Sequence, residues 1–131
     1  MRRGAKTDPK ARRLALAIGT GRMAMGLGIL FATRPALRGM GFGATDASGE
    51  ALAKLGGGRD LALGAMTLAA RGDRQALRTA ILVSGACDAA DALALGLSAR
   101  RPETRQAGIG GVIAGSGAAA ACLWAWRRLG D

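Results

Sequence analysis

Four apolar stretches joined by polar connections organise the chain. Leu14 to Ala32, LALAIGTGRMAMGLGILFA, runs nineteen residues with one charge, Arg22. Ala51 to Ala70, ALAKLGGGRDLALGAMTLAA, is interrupted by Lys54, Arg59 and Asp60. Ala80 to Ala99, AILVSGACDAADALALGLSA, contains Asp88 and Asp91, and Ala107 to Trp126, AGIGGVIAGSGAAAACLWAW, contains no charge at all. A bilayer core about 30 Å thick takes about twenty helical residues at 1.5 Å each. The pattern predicts an all-α, integral membrane four-helix bundle forming one domain over residues 1–131. Its spans fall near 14–32, 54–70, 80–99 and 107–126, behind a basic N-terminal tail, 1–13. The second span is the weakest because of its three charges.

The connection Thr33 to Glu50 is the longest. Pro35 is expected to end the first helix, and Gly39, Gly41 and Gly43 around Phe42 oppose a second long one, leaving room for a short surface piece. Gly56, Gly57 and Gly58 precede Arg59 with no strand before them, so they do not form a phosphate-cradling loop. They read as a flexible start to the second helix.

Composition strengthens the membrane reading. Half of the chain is hydrophobic, but aromatic residues are only 3% and glycines number 22. Membrane helices tolerate glycine, which lets neighbouring backbones approach. The formal net charge of +10 suits nucleic acid in amount but not in placement. Lys and Arg flank the apolar stretches, and no aromatic side chains interleave with them to stack bases. The partner implied is the lipid bilayer, with no nucleic acid. On alternate sides of the four spans, eleven basic residues (Arg2, Arg3, Lys6, Lys10, Arg12, Arg13, Arg71, Arg74, Arg78, Arg127, Arg128) face six (Arg34, Arg38, Lys54, Arg100, Arg101, Arg105). That excess places both termini in the cytoplasm of a multi-pass protein of the cell membrane. Trp124 and Trp126 beside Arg127 and Arg128 read as an interfacial belt. The start, MRRGAKTDPKARRLALAIG, has the layout of a signal sequence, but Arg22 interrupts its apolar part and the stretch is long enough to span. A non-cleaved first helix is expected.

The candidate chemistry lies in the third stretch. A central aspartate costs about 2.5–3.5 kcal/mol on insertion, so Asp88 and Asp91 cost roughly 5–7, against roughly 2–4 returned by the six large aliphatic residues around them. The stretch therefore needs cations from elsewhere. Ser84, Asp88 and Asp91 share an arc of about 60° on one helix face. Counted from the span ends, Arg22 and Asp88 both lie about 12 Å deep, and Arg59 and Asp91 about 16 Å. The expected arrangement is a buried polar layer of Arg22, Arg59, Asp60, Ser84, Asp88 and Asp91, with Arg22 paired to Asp88 and Arg59 to Asp91. Asp60 is free to join either arginine. Small-residue faces, Gly111, Gly115 and Ala119 on the fourth stretch, Gly85 and Ala89 on the third, and Gly21, Ala24 and Gly28 on the first, favour close helix packing. They leave room for a second copy of the chain or another membrane partner without identifying one. Cys87 and Cys122 read as small buried hydrophobes. With no histidine present, a histidine base or histidine-bound zinc has nothing to build on. No metal site, no cofactor and no catalytic residue is assigned.

GGRDLALG at 57–64, ALR at 76–78, DAADALA at 88–94 and RPALRGMGF after the first helix resemble the small bacterial membrane proteins grouped as domain of unknown function 4267. The resemblance covers roughly residues 14–126 and implies a four-helix membrane protein of unassigned activity, with no catalytic residue to carry over. A looser likeness, in helix number and polar helix faces, is to the DoxX-like membrane proteins, and it implies a link to redox chemistry. Three functions follow as alternatives. In the first, the charged layer only holds the bundle together. In the second, Asp88 and Asp91 serve a small transporter or a proton or cation relay. In the third, the same layer serves a membrane oxidoreductase.

Overall fold

A computed structural model of the chain describes residues 8–130, which form helices and turns with no strand among them. Arg2, Arg3 and Lys6, counted above for orientation, lie outside the described residues. The helices are α1 (Pro9–Phe31), α2 (Thr33–Gly39), α3 (Ala47–Ala69), α4 (Arg74–Ser98) and α5 (Arg105–Gly130), with 3₁₀ turns at Ala70–Gly72 and Pro102–Thr104.

α1, α3 and α4 begin several residues before their apolar stretches, because side-chain caps set the start. Asp8 accepts from the Lys10 amide at 2.9 Å, and Pro9, which has no N–H to satisfy, sits at the first position of α1. Asp46 accepts from the Gly49 amide at 2.8 Å to start α3. Asp73 accepts from the amides of Gln75 and Ala76, at 2.8 and 3.0 Å, to start α4. The tail assigned to 1–13 is therefore helical from Pro9 onward. Pro35 does not end α1. That helix stops at Phe31, after which Ala32 leaves helical geometry (φ −133°, ψ 48°), and Pro35 occupies the first turn of α2. Gly41, at φ +87°, turns the chain away after α2.

Gly56 to Gly58 are not a flexible helix start either; they lie well inside α3. α1 and α3 run antiparallel and cross where glycines meet. A Cβ on Gly26 would stand 2.6 Å from the Gly57 carbonyl oxygen, and one on Gly64 would stand 2.6 Å from that of Gly19. The close face of α1 is thus Gly19 and Gly26, two turns apart. The positions expected from sequence, Gly21 and Gly28, have nothing within 4 Å of a built Cβ. α4 and α5 form the second close pair, with Gly85 against Cys122 and Gly115 against the Asp88 carbonyl and Ala92.

Three levels follow along the bundle. At the end holding the start of α1, the α3–α4 turn and the end of α5, Ala11, Ala15, Leu77, Ile81, Cys122, Ala125 and Leu129 make a dry core. Arginines finish that end: Arg12 donates to the Arg71 carbonyl (3.1 Å), Arg78 to the Trp126 carbonyl (3.2 Å), and Arg74 to the Leu129 carbonyl. Arg78 also stacks on Trp126, 4.5 Å from the ring centre. Trp126 is therefore half-buried against the core, and of the two tryptophans only Trp124 is exposed as an interfacial belt requires. Charged residues occupy the middle level, and a cavity occupies the other end. Outside, Phe31, Leu55, Leu93 and Ile113 are exposed. Three helical segments, Pro9–Phe31, Arg74–Ser98 and Pro102–Gly130, are long and apolar enough to cross a membrane; α3 is not among them.

Candidate functional site

The charged level joins the two glycine-packed pairs. Arg22, thirteen residues into α1, spreads its guanidinium between α3 and α4. Nη1 donates to Asp60 Oδ1 at 2.6 Å, and Nη2 donates to Asp88 Oδ1 at 2.5 Å and to the Ser84 carbonyl at 3.1 Å. The fork geometry of arginine allows this, since one planar cation reaches acceptors on two helices at once. A second link lies one turn on. Arg59 and Asp91 form a two-point pair between α3 and α4, at 2.8 and 2.5 Å, and Arg59 also reaches Asp60 Oδ1 at 3.5 Å. Both pairs expected from helix depth, Arg22–Asp88 and Arg59–Asp91, are present, and Asp60 joins both arginines rather than one.

The two links differ in exposure. The side chains of Arg22, Asp60 and Asp88 are only 9, 9 and 12% exposed, whereas Arg59 and Asp91 are each 39% exposed. The first is an interior lock. The second faces open space.

Ser84 takes part through its backbone. Its carbonyl accepts from Arg22, and among the described residues its buried hydroxyl has no hydrogen-bond partner, nor do the Nε atoms of Arg22 and Arg59. Sequence reasoning placed Ser84 on the face that meets Arg22, where its backbone carbonyl is the bonding group. It missed Cys122, whose Sγ lies 3.9 Å from Asp88 Oδ2. The signal was Gly85, one turn before Asp88, which lets the Cys122 side chain press against α4. Cys122 is buried as expected, but Cys87 is only half-buried.

The open space is a cavity of about 630 Å³ beyond the charged level, away from the dry core. Ile18, Met25 and Ile29 of α1, Leu52 and Gly56 of α3, Leu95 of α4 and Ala114 of α5 line its wall. Met40, Phe42 and Thr45 of the connection border its far end, and Arg22, Arg59, Asp60, Asp88 and Asp91 form its floor. Every charged residue bordering it belongs to the layer. No pattern in the sequence signals the cavity, because its walls use the same alanine, glycine and leucine as the packed faces. Beyond the spans, Arg34 donates to Glu50 at 2.5 Å, tying α2 to the start of α3. That hydrogen bond raises the Arg34 pKa further above its ordinary value.

Residues 19–127 match the family model described as Domain of unknown function (DUF4267). The chain belongs to this family. The matched DUF4267 region contains all five charged residues of the layer and both glycine crossings, so the site lies within the family's own segment. No curated protein and no solved structure matches the chain. The DUF4267 assignment thus fixes kinship and leaves chemistry to the geometry.

Proposed function

We propose that the chain is a four-span protein of the cell membrane, with both ends cytoplasmic, whose charged layer locks the helices around a cavity that binds a small, largely apolar molecule. The observation that carries this reading is the joint placement of the layer and the cavity. The ion pairs close one side of an apolar space that would otherwise collapse or fill with lipid, and they hold the two helix pairs apart at that level.

α3 serves as the fourth span. Its 23 residues are about 35 Å long, and it packs along α1 through both glycine crossings. Its two central charges are neutralised by partners on α1 and α4, which removes most of the cost that keeps it below a simple apolar threshold. Glu50 and Lys54 lie in its first two turns, near the headgroups. The end that holds Arg12, Arg13, Arg71, Arg74, Arg78, Arg127 and Arg128 is the cytoplasmic one by the excess of basic residues.

Cavity filling tests the binding reading. Gly56 lines the cavity, and a Cβ built on it meets no atom within 4 Å, so Gly56→Trp places a large side chain in the space. Native mass spectrometry of detergent-purified protein should show a one-to-one small-molecule adduct on the wild type and none on Gly56→Trp. Equal adducts on both proteins would mean that only surface lipid is retained, and would sink the reading. A transporter remains the second reading, favoured by the half-exposed Asp91 carboxylate on the cavity floor.

A further inference from the structure

The layer does not balance. Arg22 and Arg59 bring two positive charges, and Asp60, Asp88 and Asp91 bring three negative ones. Among the described residues, no other charged side chain borders the cavity to cancel the remainder. One surplus negative charge therefore faces an apolar space inside the hydrocarbon zone, where an uncompensated ion costs several kcal/mol. Among the described residues, no group of acidic or thiol side chains is arranged to hold a metal ion. The walls above the floor are aliphatic, with Phe42 at the rim, and suit an organic body.

From these observations we infer that the cavity is a binding site for a lipophilic organic monocation, such as a hydrophobic ammonium or phosphonium, whose charge settles over the Arg59–Asp91 end of the layer. The inference rests on the cavity-binding reading above and adds the charge of the ligand. Asp91 is the carboxylate placed to meet it, since it is the most exposed of the three. A cation in the cavity and a proton on the layer would each remove the surplus, so the two compete. The other groups that carry or change charge around these carboxylates are Arg22 from α1, Arg59 from α3, Cys87 on α4 and Cys122 from α5.

The test compares tetraphenylphosphonium with tetraphenylborate, two ions of nearly equal size and shape and opposite charge. Equilibrium dialysis on the full chain in uncharged detergent micelles measures each, counted as the excess over Gly56→Trp in the same micelles. The phosphonium should bind about tenfold or more tightly than the borate, a modest share of the attraction between unit charges about 4 Å apart at an effective dielectric constant near 20. The preference should fall as pH is lowered. It should vanish in Asp91→Asn, which balances the layer at two charges of each sign. Should Asp91→Asn fail to fold, the pH series and the Gly56→Trp comparison still decide. Equal binding of both ions, or preference for the borate, overturns the inference and leaves the cavity reading standing. No excess binding of either ion over Gly56→Trp overturns both.

Discussion

Arg22 is the residue on which the interior depends. Among the described residues it is the sole cation on Asp88 and the nearer one to Asp60, so Arg22→Leu strands the buried Asp88 and leaves Asp60 with only the longer contact to Arg59. Removing one partner of a buried ion pair costs about 3–5 kcal/mol, and thermal melting of the detergent-solubilised protein should show a large drop. Arg59→Gln should cost far less, about 1 kcal/mol, because that pair is partly open to solvent or ligand and Asp60 keeps Arg22. Equal losses in the two variants would contradict the division into a lock and an exposed pair. Ser84→Ala separates backbone from side chain at the same site. Its hydroxyl is buried without a partner while its carbonyl does the bonding, so the variant should melt at or slightly above the wild type, by about 1 kcal/mol at most. A marked loss would show that the hydroxyl has a partner after all.

At the scale of elements, the helices are paired by glycine and joined by charge. Gly26→Ala would place a methyl group 2.6 Å from the Gly57 carbonyl oxygen and 2.8 Å from the Leu61 nitrogen. Backbone cannot yield as a side chain tip can, and overpacking of this kind costs about 1–3 kcal/mol. Gly28→Ala, on the same helix but with no atom within 4 Å, should be neutral or gain up to about 1 kcal/mol from helix propensity. Side-by-side melting curves decide the matter, and a reversed order would place the crossing on the other face. These two glycines are two residues apart and alike in composition, which explains why the sequence pattern chose the wrong face. A glycine spacing marks a face able to approach another helix, and only the partner's own glycines, here Gly57 and Gly64, select the one used.

For the whole molecule, the arrangement is a gradient from dry core through charge to cavity. A fluorescent-protein fusion after Asp131 should fluoresce, and alkaline phosphatase at the same point should be inactive, as a cytoplasmic end requires. Inserted at Gly43, in the connection between α2 and α3, the two reporters should exchange behaviour. Matching behaviour at both positions would mean that an even number of helices crosses between them, as when α3 does not span. The all-helical fold and its three segments long and apolar enough to cross a membrane were legible because apolar run length acts locally along the chain. The ion pairs were legible for a related reason, since charges in that setting need partners and helical rise converts residue number into depth.

Sequence alone determined the helices, their approximate extent and the need for cations opposite Asp88 and Asp91. These follow from local quantities: apolar run length, the cost of a buried charge and the fixed rise of a helix. Tertiary structure decided the rest. It chose Gly19 and Gly26 over Gly21 and Gly28, gave Asp60 to both arginines, brought the Ser84 carbonyl to Arg22 and turned Trp126 inward beneath Arg78. It also left a cavity on one side of the layer and a packed core on the other. Whether alanine, glycine and leucine fill a space or merely line it depends on how far apart the helices are held, and that separation is a property of the assembled bundle.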